Sequence, residues 1–95
     1  MFAVTVAFAI KPGLIEAFLP LMVENARASV DLEPGCRQFD VCRNPDADSV
    51  FLYEIYDDKA AFDLHLESAH FKAFDAAVAR MVVAKSVQTF QEVLR

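Results

Sequence analysis

The chain has 95 residues, enough for one small domain with a single hydrophobic core and too few for two. Hydrophobic residues make up 56% of the sequence, above the ~45–50% of an average domain, so we expect a second copy of the chain to cover part of the apolar surface. The net charge of -5, with nine Lys and Arg residues spread singly, disfavours nucleic acid and anionic membranes as partners.

The predicted elements follow one another in the order β-α-β-β-α-β. Alternating apolar residues predict the strands, and apolar residues at three- and four-residue steps predict the helices. In chain order the elements are a strand over residues 2–10, a helix over 14–32, strands over 36–43 and 49–56, a second helix, and a strand over 86–93. The second helix is predicted to start at a cap at Asp57 or Asp58 and to end at Met81, with a break and a second cap at Ser68. This order indicates an α+β fold of the ferredoxin-like type, an antiparallel sheet with both helices on one face.

Helices on one face leave the other face of the sheet bare. The first and third predicted strands are apolar on both faces, so a second copy is predicted to cover the bare face by two-fold symmetry. No repeat, low-complexity run or linker interrupts the pattern. We therefore predict a single domain over residues 1–95 that forms a homodimer through the open face of its sheet.

The N-terminal segment and the cysteines bear on localisation. The first ten residues are apolar but too few to span a bilayer, and they lack the basic start and cleavage site of a signal peptide. Cys36 and Cys42 fall in one predicted strand about 20 Å apart, at ~3.3 Å per residue, which is too far for a disulfide. Two free thiols fit a reducing compartment, so we expect a cytoplasmic protein. No Cys or His spacing is typical of a metal site, and none is predicted.

The stretch from Phe51 to His70 contains both histidines and both tyrosines of the chain together with Glu54, and no other stretch concentrates as much proton-handling chemistry. Glu54 and Tyr56 share one face of the third strand, because residues two apart in a strand point the same way. His65 lies on the apolar side of the second helix. If Glu54 is on the face that the helices cover, these groups can meet polar residues of the first helix in one pocket, although the alternation alone does not decide which face is covered.

The first helix contributes two polar residues to its apolar side. Asn25 and Ser29 follow Phe18 and Met22 at three- and four-residue steps, so they are expected to face the sheet. A structural interpretation stays open, in which the two residues bond each other or a backbone carbonyl. Phe18 and Met22 are equally compatible with a role in the core.

The buried carboxylate and the histidines also have structural interpretations. A Glu54–His65 pair could exist only to satisfy two buried polar groups. His70 lies five residues after His65, about 140° around a regular helix of ~3.6 residues per turn, so the two histidines are predicted to point to different sides. His70 is then expected at the helix break, near the mouth of the pocket.

Two runs of sequence, EPGCRQFDV from Glu33 to Val41 and FLYEIYDDKAAFDLHLESAH from Phe51 to His70, resemble the antibiotic biosynthesis monooxygenase family of dimeric α+β barrels. The resemblance covers nearly the whole chain. It implies a homodimer with its sheets face to face, and oxidation of a small phenolic or quinol compound by molecular oxygen without flavin, haem or metal. The residues that we match to catalytic positions are His65, Glu54, Tyr56 and Asn25. The residues predicted to bind substrate are Ser29, Phe18, Met22, Phe39 and His70.

Differences from related sequences disfavour haem degradation, and two alternatives to the monooxygenase function remain. Haem-degrading relatives have an Asn on the first strand, a Trp ending the third and a His late in the second helix, none of which is present here. One alternative is an isomerase or tautomerase of a small (phospho)hydroxyketone, as in autoinducer degradation, which the residues from Phe39 to Val41 resemble. A phosphorylated substrate needs cations near the pocket, and the candidates at the predicted rim are Arg27, Arg37, Arg43 and Lys72. The other alternative is a dimeric small-molecule-binding module without enzymatic activity.

Overall fold

A computed structural model of the chain describes residues 1–95. Its elements, in chain order, are β1 (Phe2–Ile10), α1 (Ile15–Leu32), β2 (Cys36–Arg43), β3 (Ser49–Tyr56), α2 (Lys59–Glu67), α3 (Ala69–Val78) and β4 (Val82–Phe90). The strands form one sheet in the order β2-β3-β1-β4 with every neighbouring pair antiparallel, which confirms the predicted α+β ferredoxin-like fold. None of the three helices combines the length and the hydropathy that a membrane crossing requires.

The hydrophobic core lies between the sheet and the helices. Val4, Val6 and Phe8 of the central strand β1 are almost fully buried on the helix-covered face. The ring of Phe8 meets that of Phe18 from α1 at 5.2 Å and that of Phe74 from α3 at 6.5 Å between centroids, both edge to face. Burial of each such side chain stabilises the fold by about 1.5–3 kcal/mol, so this face fixes where the helices sit.

The predicted break in the second helix is confirmed at Ser68. Its backbone is extended, its hydroxyl donates to the carbonyl of His65 at 2.6 Å, and its oxygen accepts from the amide of Phe71 at 3.3 Å. The side chain therefore ends α2 and caps α3. Asp58 caps α2 in the same way, accepting from the amide of Ala61 at 2.8 Å. Because α3 starts a new helix, angles around a regular helix do not relate residues on either side of Ser68.

The last strand was predicted to run from Ser86 to Val93, and this is wrong at both ends. The strand β4 begins at Val82, opposite Ile10, and ends at Phe90, opposite Ala3. Its length is set by pairing with the whole of β1, which is a non-local contact. The strand is also an exposed edge, so its own sequence lacks the apolar alternation that marks a covered strand.

The face of the sheet that the helices leave uncovered is largely open. Ala7, Phe51 and Phe90 are exposed on it. The prediction of a completely bare face is wrong near one end, because Ala3 and Ile55 also lie on it and are buried. The apolar surface that could meet a second copy is therefore smaller than the sequence indicated.

Both cysteines are free, which confirms the predicted absence of an internal disulfide. Cys36 is buried and Cys42 is exposed. Burial, reinforced by the nearby carboxylates of Glu33 and Glu54, raises the pKa of the Cys36 thiol to about 12. This residue therefore stays a thiol at neutral pH and is a poor nucleophile.

The close packing of Gly35 against α2 gives a testable prediction. A Cβ atom at residue 35 would lie 2.5 Å from the Cβ of Ala61, which is too close for both side chains to stay in place. We expect Gly35→Ala to lower the free energy of unfolding by about 1–3 kcal/mol, measured by urea denaturation. The double variant Gly35→Ala with Ala61→Gly should recover most of this loss, less the cost of a helical glycine of about 1 kcal/mol.

The matched control is Ala61→Gly alone, which measures the helical glycine without the clash. If the double variant is no more stable than Gly35→Ala, contact between the two positions is not the cause of the loss.

Candidate functional site

A cleft lies between the helix-covered face of the sheet and the helices α1, α2 and α3. Eleven of its 15 lining residues are hydrophobic, and the other four are Asn25, Glu54, His65 and Lys85. The cleft is narrow, because the space that the centre of a water molecule can reach within it is only about 40 Å³. An aromatic ring can therefore enter only if side chains at the mouth move.

Glu54 points into the cleft because side chains alternate between the two faces of β3, and Tyr56 on the same face forms a hydrogen bond with it. Leu52 and Glu54 line the cleft together with Met22 and Asn25 of α1, so this face of β3 is the one that the helices cover. The phenol of Tyr56 donates to Oε1 of Glu54 at 2.6 Å. Burial raises the pKa of Glu54 to about 7, although the Tyr56 hydrogen bond and the positive charge of Lys85 both oppose that rise. Near neutral pH this carboxyl can therefore both accept and donate a proton.

His65 reaches the cleft from the last turn of α2 and is held by a carboxylate outside the cleft. Its Nδ1 lies 2.8 Å from Oε2 of Glu33, the residue that ends α1, and 3.4 Å from the hydroxyl of Ser29. Burial lowers the pKa of the His65 imidazole, and the Glu33 carboxylate opposes that shift without reversing it. The neutral imidazole is therefore the dominant form at pH 7.

The contact with Glu33 assigns the tautomer of His65. An ionised carboxylate only accepts hydrogen bonds, so Nδ1 carries the proton and donates it to Glu33. No hydrogen bond occupies Nε2, which is left with a free lone pair. A neutral histidine oriented through Nδ1 in this way has the geometry of a general base.

Asn25 and Ser29 lie one helical turn apart on α1. The Ser29 hydroxyl donates to the carbonyl of Asn25 at 2.8 Å, which is the backbone interaction that the structural interpretation anticipated. The Asn25 side chain lines the cleft, and its Oδ1 is buried without a hydrogen-bond partner. Because a buried oxygen without a partner is costly, this amide is suited to a polar group of a ligand.

Lys85 is a cleft residue that sequence reasoning missed. It is paired with Phe8 of β1 and its ammonium lies 5.5 Å from the ring centroid of Phe8 and 5.6 Å from that of Phe71. The predicted strand started one residue after Lys85, so this cation was assigned to a connection. The pairing of β4 with β1 was the missing information, and the sequence of β4 alone does not carry it.

The predicted site residues fall into two groups. Five of the nine line the cleft: Met22, Asn25, Phe39, Glu54 and His65. The other four are placed behind or beside it: Phe18 in the core, Ser29 and Tyr56 against the polar lining, and His70 next to Glu33. The proposed Glu54–His65 pair is not formed, because Glu54 bonds Tyr56 and His65 bonds Glu33.

The prediction that His65 and His70 point to different sides is wrong. His70 Nε2 lies 2.5 Å from the same Oε2 of Glu33 that binds His65, because the break at Ser68 turns α3 away from the axis of α2. The sequence predicts no role in the site for Glu33. Its position in a run that carried the family resemblance was the one available signal. These three side chains are the group that could hold a metal ion, with ligand atoms within 4.8 Å of one another.

Comparison with known proteins supports the same architecture. The family model described as antibiotic biosynthesis monooxygenase matches residues 1–77. No curated protein matches the chain. A solved structure from Nitrosomonas europaea, named as a candidate antibiotic biosynthesis monooxygenase, has a TM-score of 0.91 at 25% identity and covers 99% of this chain and 100% of its own.

Two further solved structures show the fold alone, since their identity to this chain is below 25%. Rv0793 from Mycobacterium tuberculosis has a TM-score of 0.89 at 24% identity over 99% of this chain and 96% of its own. PA3566 from Pseudomonas aeruginosa has a TM-score of 0.87 at 20% identity over 98% of this chain and 94% of its own.

The raised pKa of Glu54 predicts a pH-dependent stability. The pKa rises from 4.5 to about 7 on folding, so the stabilisation from the protonated form is complete below pH 4.5 and is lost as the pH rises to about 7. The free energy of unfolding of the wild type should fall relative to that of Glu54→Gln by about 3 kcal/mol between pH 4 and pH 8, measured by urea denaturation. The exposed Glu24→Gln is the matched control. A wild-type curve parallel to that of Glu54→Gln would contradict the shift.

Proposed function

Because the chain belongs to the antibiotic biosynthesis monooxygenase family, we propose that it is a cofactor-independent monooxygenase that oxidises a small phenolic or quinol compound with molecular oxygen. The observation that carries the proposal is that His65 lines an apolar cleft, is held through Nδ1 by Glu33 and makes no hydrogen bond through Nε2. A base in such a cleft can generate a phenolate without bulk water around it.

In the proposed reaction, Nε2 of His65 takes the proton of the substrate hydroxyl. Glu33 acts as a positioning residue, because it fixes the tautomer and then stabilises the imidazolium that forms. Glu54, bonded by Tyr56, supplies a second proton-exchanging group on the same cleft. The proton on His65 can later be returned to the reduced oxygen.

The resulting anion is held by groups that line the cleft. Lys85 brings a cation next to the anion. The unpartnered Oδ1 of Asn25 instead accepts a hydrogen bond from a second, protonated hydroxyl of a quinol substrate. Positive charge next to a phenolate stabilises it most where water is excluded. Met22 and Phe39 provide apolar contacts for the ring.

The overall reaction needs no added reductant. A phenol with a ring hydrogen and one O₂ molecule give a quinone and one water, so the substrate supplies all the electrons that oxygen accepts. One oxygen atom enters the ring and the other leaves as water. The proposed task of the protein is to form the anion, hold it and keep water away.

Oxygen consumption tests the proposal directly. With a panel of small hydroquinones and phenols, the wild type should consume oxygen measured at an electrode, and His65→Ala should reduce the rate by about 10²–10⁴-fold. Lys85→Met should mainly raise KM, because it removes a charge that binds the anion. An anaerobic sample should form no quinone.

The matched control is Lys72→Met, which removes an exposed cation whose ammonium pairs with Glu67 outside the cleft. Retention of wild-type kinetics is expected for it. Absence of oxygen uptake on every substrate, or an unchanged rate in His65→Ala with a folded protein, would overturn the proposal.

A second candidate function, isomerisation of a small (phospho)hydroxyketone, is favoured by one observation. Lys85 provides a cation in the cleft itself, which the predicted rim cations did not. His65 and Glu54 would then move a proton between adjacent carbon atoms without oxygen. Enzyme-dependent exchange of substrate hydrogen with heavy water under anaerobic conditions would support this candidate over the monooxygenase.

We also propose that the protein acts as a homodimer in the cytoplasm. The exposed Phe51 and Phe90 on the open face support the dimer, and the two free cysteines fit a reducing compartment. Sedimentation at micromolar concentration should give twice the chain mass of 10.6 kDa. Phe51→Asp should shift the protein toward the monomer, whereas Leu64→Asp, exposed on α2, should not. A wild type that sediments as a monomer would contradict this assembly.

A further inference from the structure

Glu33, His65 and His70 form a compact cluster behind the cleft. Oε2 of Glu33 lies 2.8 Å from Nδ1 of His65 and 2.5 Å from Nε2 of His70, and the ligand atoms of the three residues lie within 4.8 Å of one another. We propose that these residues bind one divalent transition-metal ion of the zinc class.

The donor set suits such an ion. Imidazole nitrogens and carboxylate oxygens bind Zn²⁺ at about 2.0–2.2 Å, which places neighbouring donors about 3.3 Å apart in a tetrahedral site. The two hydrogen-bonded contacts of Glu33 are shorter than this, whereas the two histidine nitrogens lie within 4.8 Å of each other. Both nitrogens therefore need to move away from the oxygen and toward each other, by about 1 Å each, to admit the ion. Three protein ligands leave a fourth position for water, and the three residues come from the end of α1, from α2 and from α3.

The two oxygens of the Glu33 carboxylate differ in their hydrogen bonding, and a metal ion would remove this difference. Both imidazoles contact Oε2, whereas Oε1 is buried and has no hydrogen-bond partner. A buried oxygen without a partner costs about 1–3 kcal/mol. A cation bound by Oε2 and the two imidazole nitrogens would replace the two crowded hydrogen bonds, and its water ligand would donate to Oε1. The His70 side chain is 17% exposed, so the cluster can be reached from solvent.

Metal binding would change the chemistry of His65. A metal on Nδ1 takes the lone pair of that nitrogen, so the proton of the neutral imidazole moves to Nε2. The nitrogen that faces the cleft then carries a hydrogen and cannot accept one. The consequence for catalysis rests on the proposed function: an occupied metal site switches off the His65 base.

Binding is tested without reference to activity. Metal-free protein carrying Cys42→Ser, which removes the exposed thiol, is titrated with Co²⁺ and Zn²⁺ and followed by visible absorption and calorimetry. We expect one ion per chain, the visible absorption bands of four-coordinate Co²⁺, and displacement of Co²⁺ by Zn²⁺. His70→Ala should weaken binding by about 10–100-fold or more, and His70→Gln is a second variant in case the first is misfolded. Circular dichroism checks the fold.

The matched control is Glu67→Gln, which removes an exposed carboxylate of α2 outside the cluster. It should bind the ion as the parent does. No binding of either metal at stoichiometric concentration, or equal binding in a folded His70 variant, would overturn the proposed site.

The switch in His65 has its own spectroscopic readout. A long-range ¹H–¹⁵N spectrum should show the proton on Nδ1 in metal-free protein and on Nε2 after Zn²⁺ is added. A proton that stays on Nδ1 would overturn coordination through this nitrogen. If oxygen uptake is detected, Zn²⁺ should abolish it in the parent over the concentration range in which the titration shows binding, and a chelator should restore it. If no uptake is ever detected, the proposed function fails, whereas the metal site still stands or falls on the titration.

Discussion

The shared hydrogen bonding of the Glu33 carboxylate holds the site together. One oxygen atom contacts imidazoles from α2 and α3, and the residue itself ends α1. Segments from three helices are thereby fixed around one partly buried carboxylate. Removing either imidazole would leave Oε2 with a single partner from the other helix. The orientation of His65 toward the cleft follows from this arrangement.

Two buried acid–base groups on one cleft are tuned in opposite directions by the same cause. Burial disfavours charge, so it raises the pKa of Glu54 and lowers that of His65. Near neutral pH the His65 imidazole is mostly neutral and the Glu54 carboxyl is about half ionised, and Lys85 is the one Lys or Arg residue that lines the cleft. The cleft therefore favours binding of an anion, although the chain as a whole carries a net charge of -5.

Local patterns were sufficient to predict most of the fold and half of the site. Residues that alternate or recur at helical spacing predicted the bounds of β1, β2 and β3, the fact that Glu54 and Tyr56 share one face of β3, and the cap at Ser68. The misplaced start of β4, the missed Lys85 and the wrong relation of His65 to His70 share a different cause. Each depends on a contact between distant segments, and neither the spacing nor the chemistry of nearby residues reports such contacts.

The position of β4 at the edge of the sheet has a dynamic consequence. This strand supplies Lys85 and Val87 to the wall of the cleft, yet it is hydrogen-bonded to β1 alone. An edge strand with most of its side chains exposed separates from its neighbour at lower free energy than a central strand does. Local opening of β4 would widen the narrow cleft while the core under α1 stays intact. Entry of a ligand into the cleft and hydrogen exchange of the β4 backbone amides would then both depend on the same opening of β4.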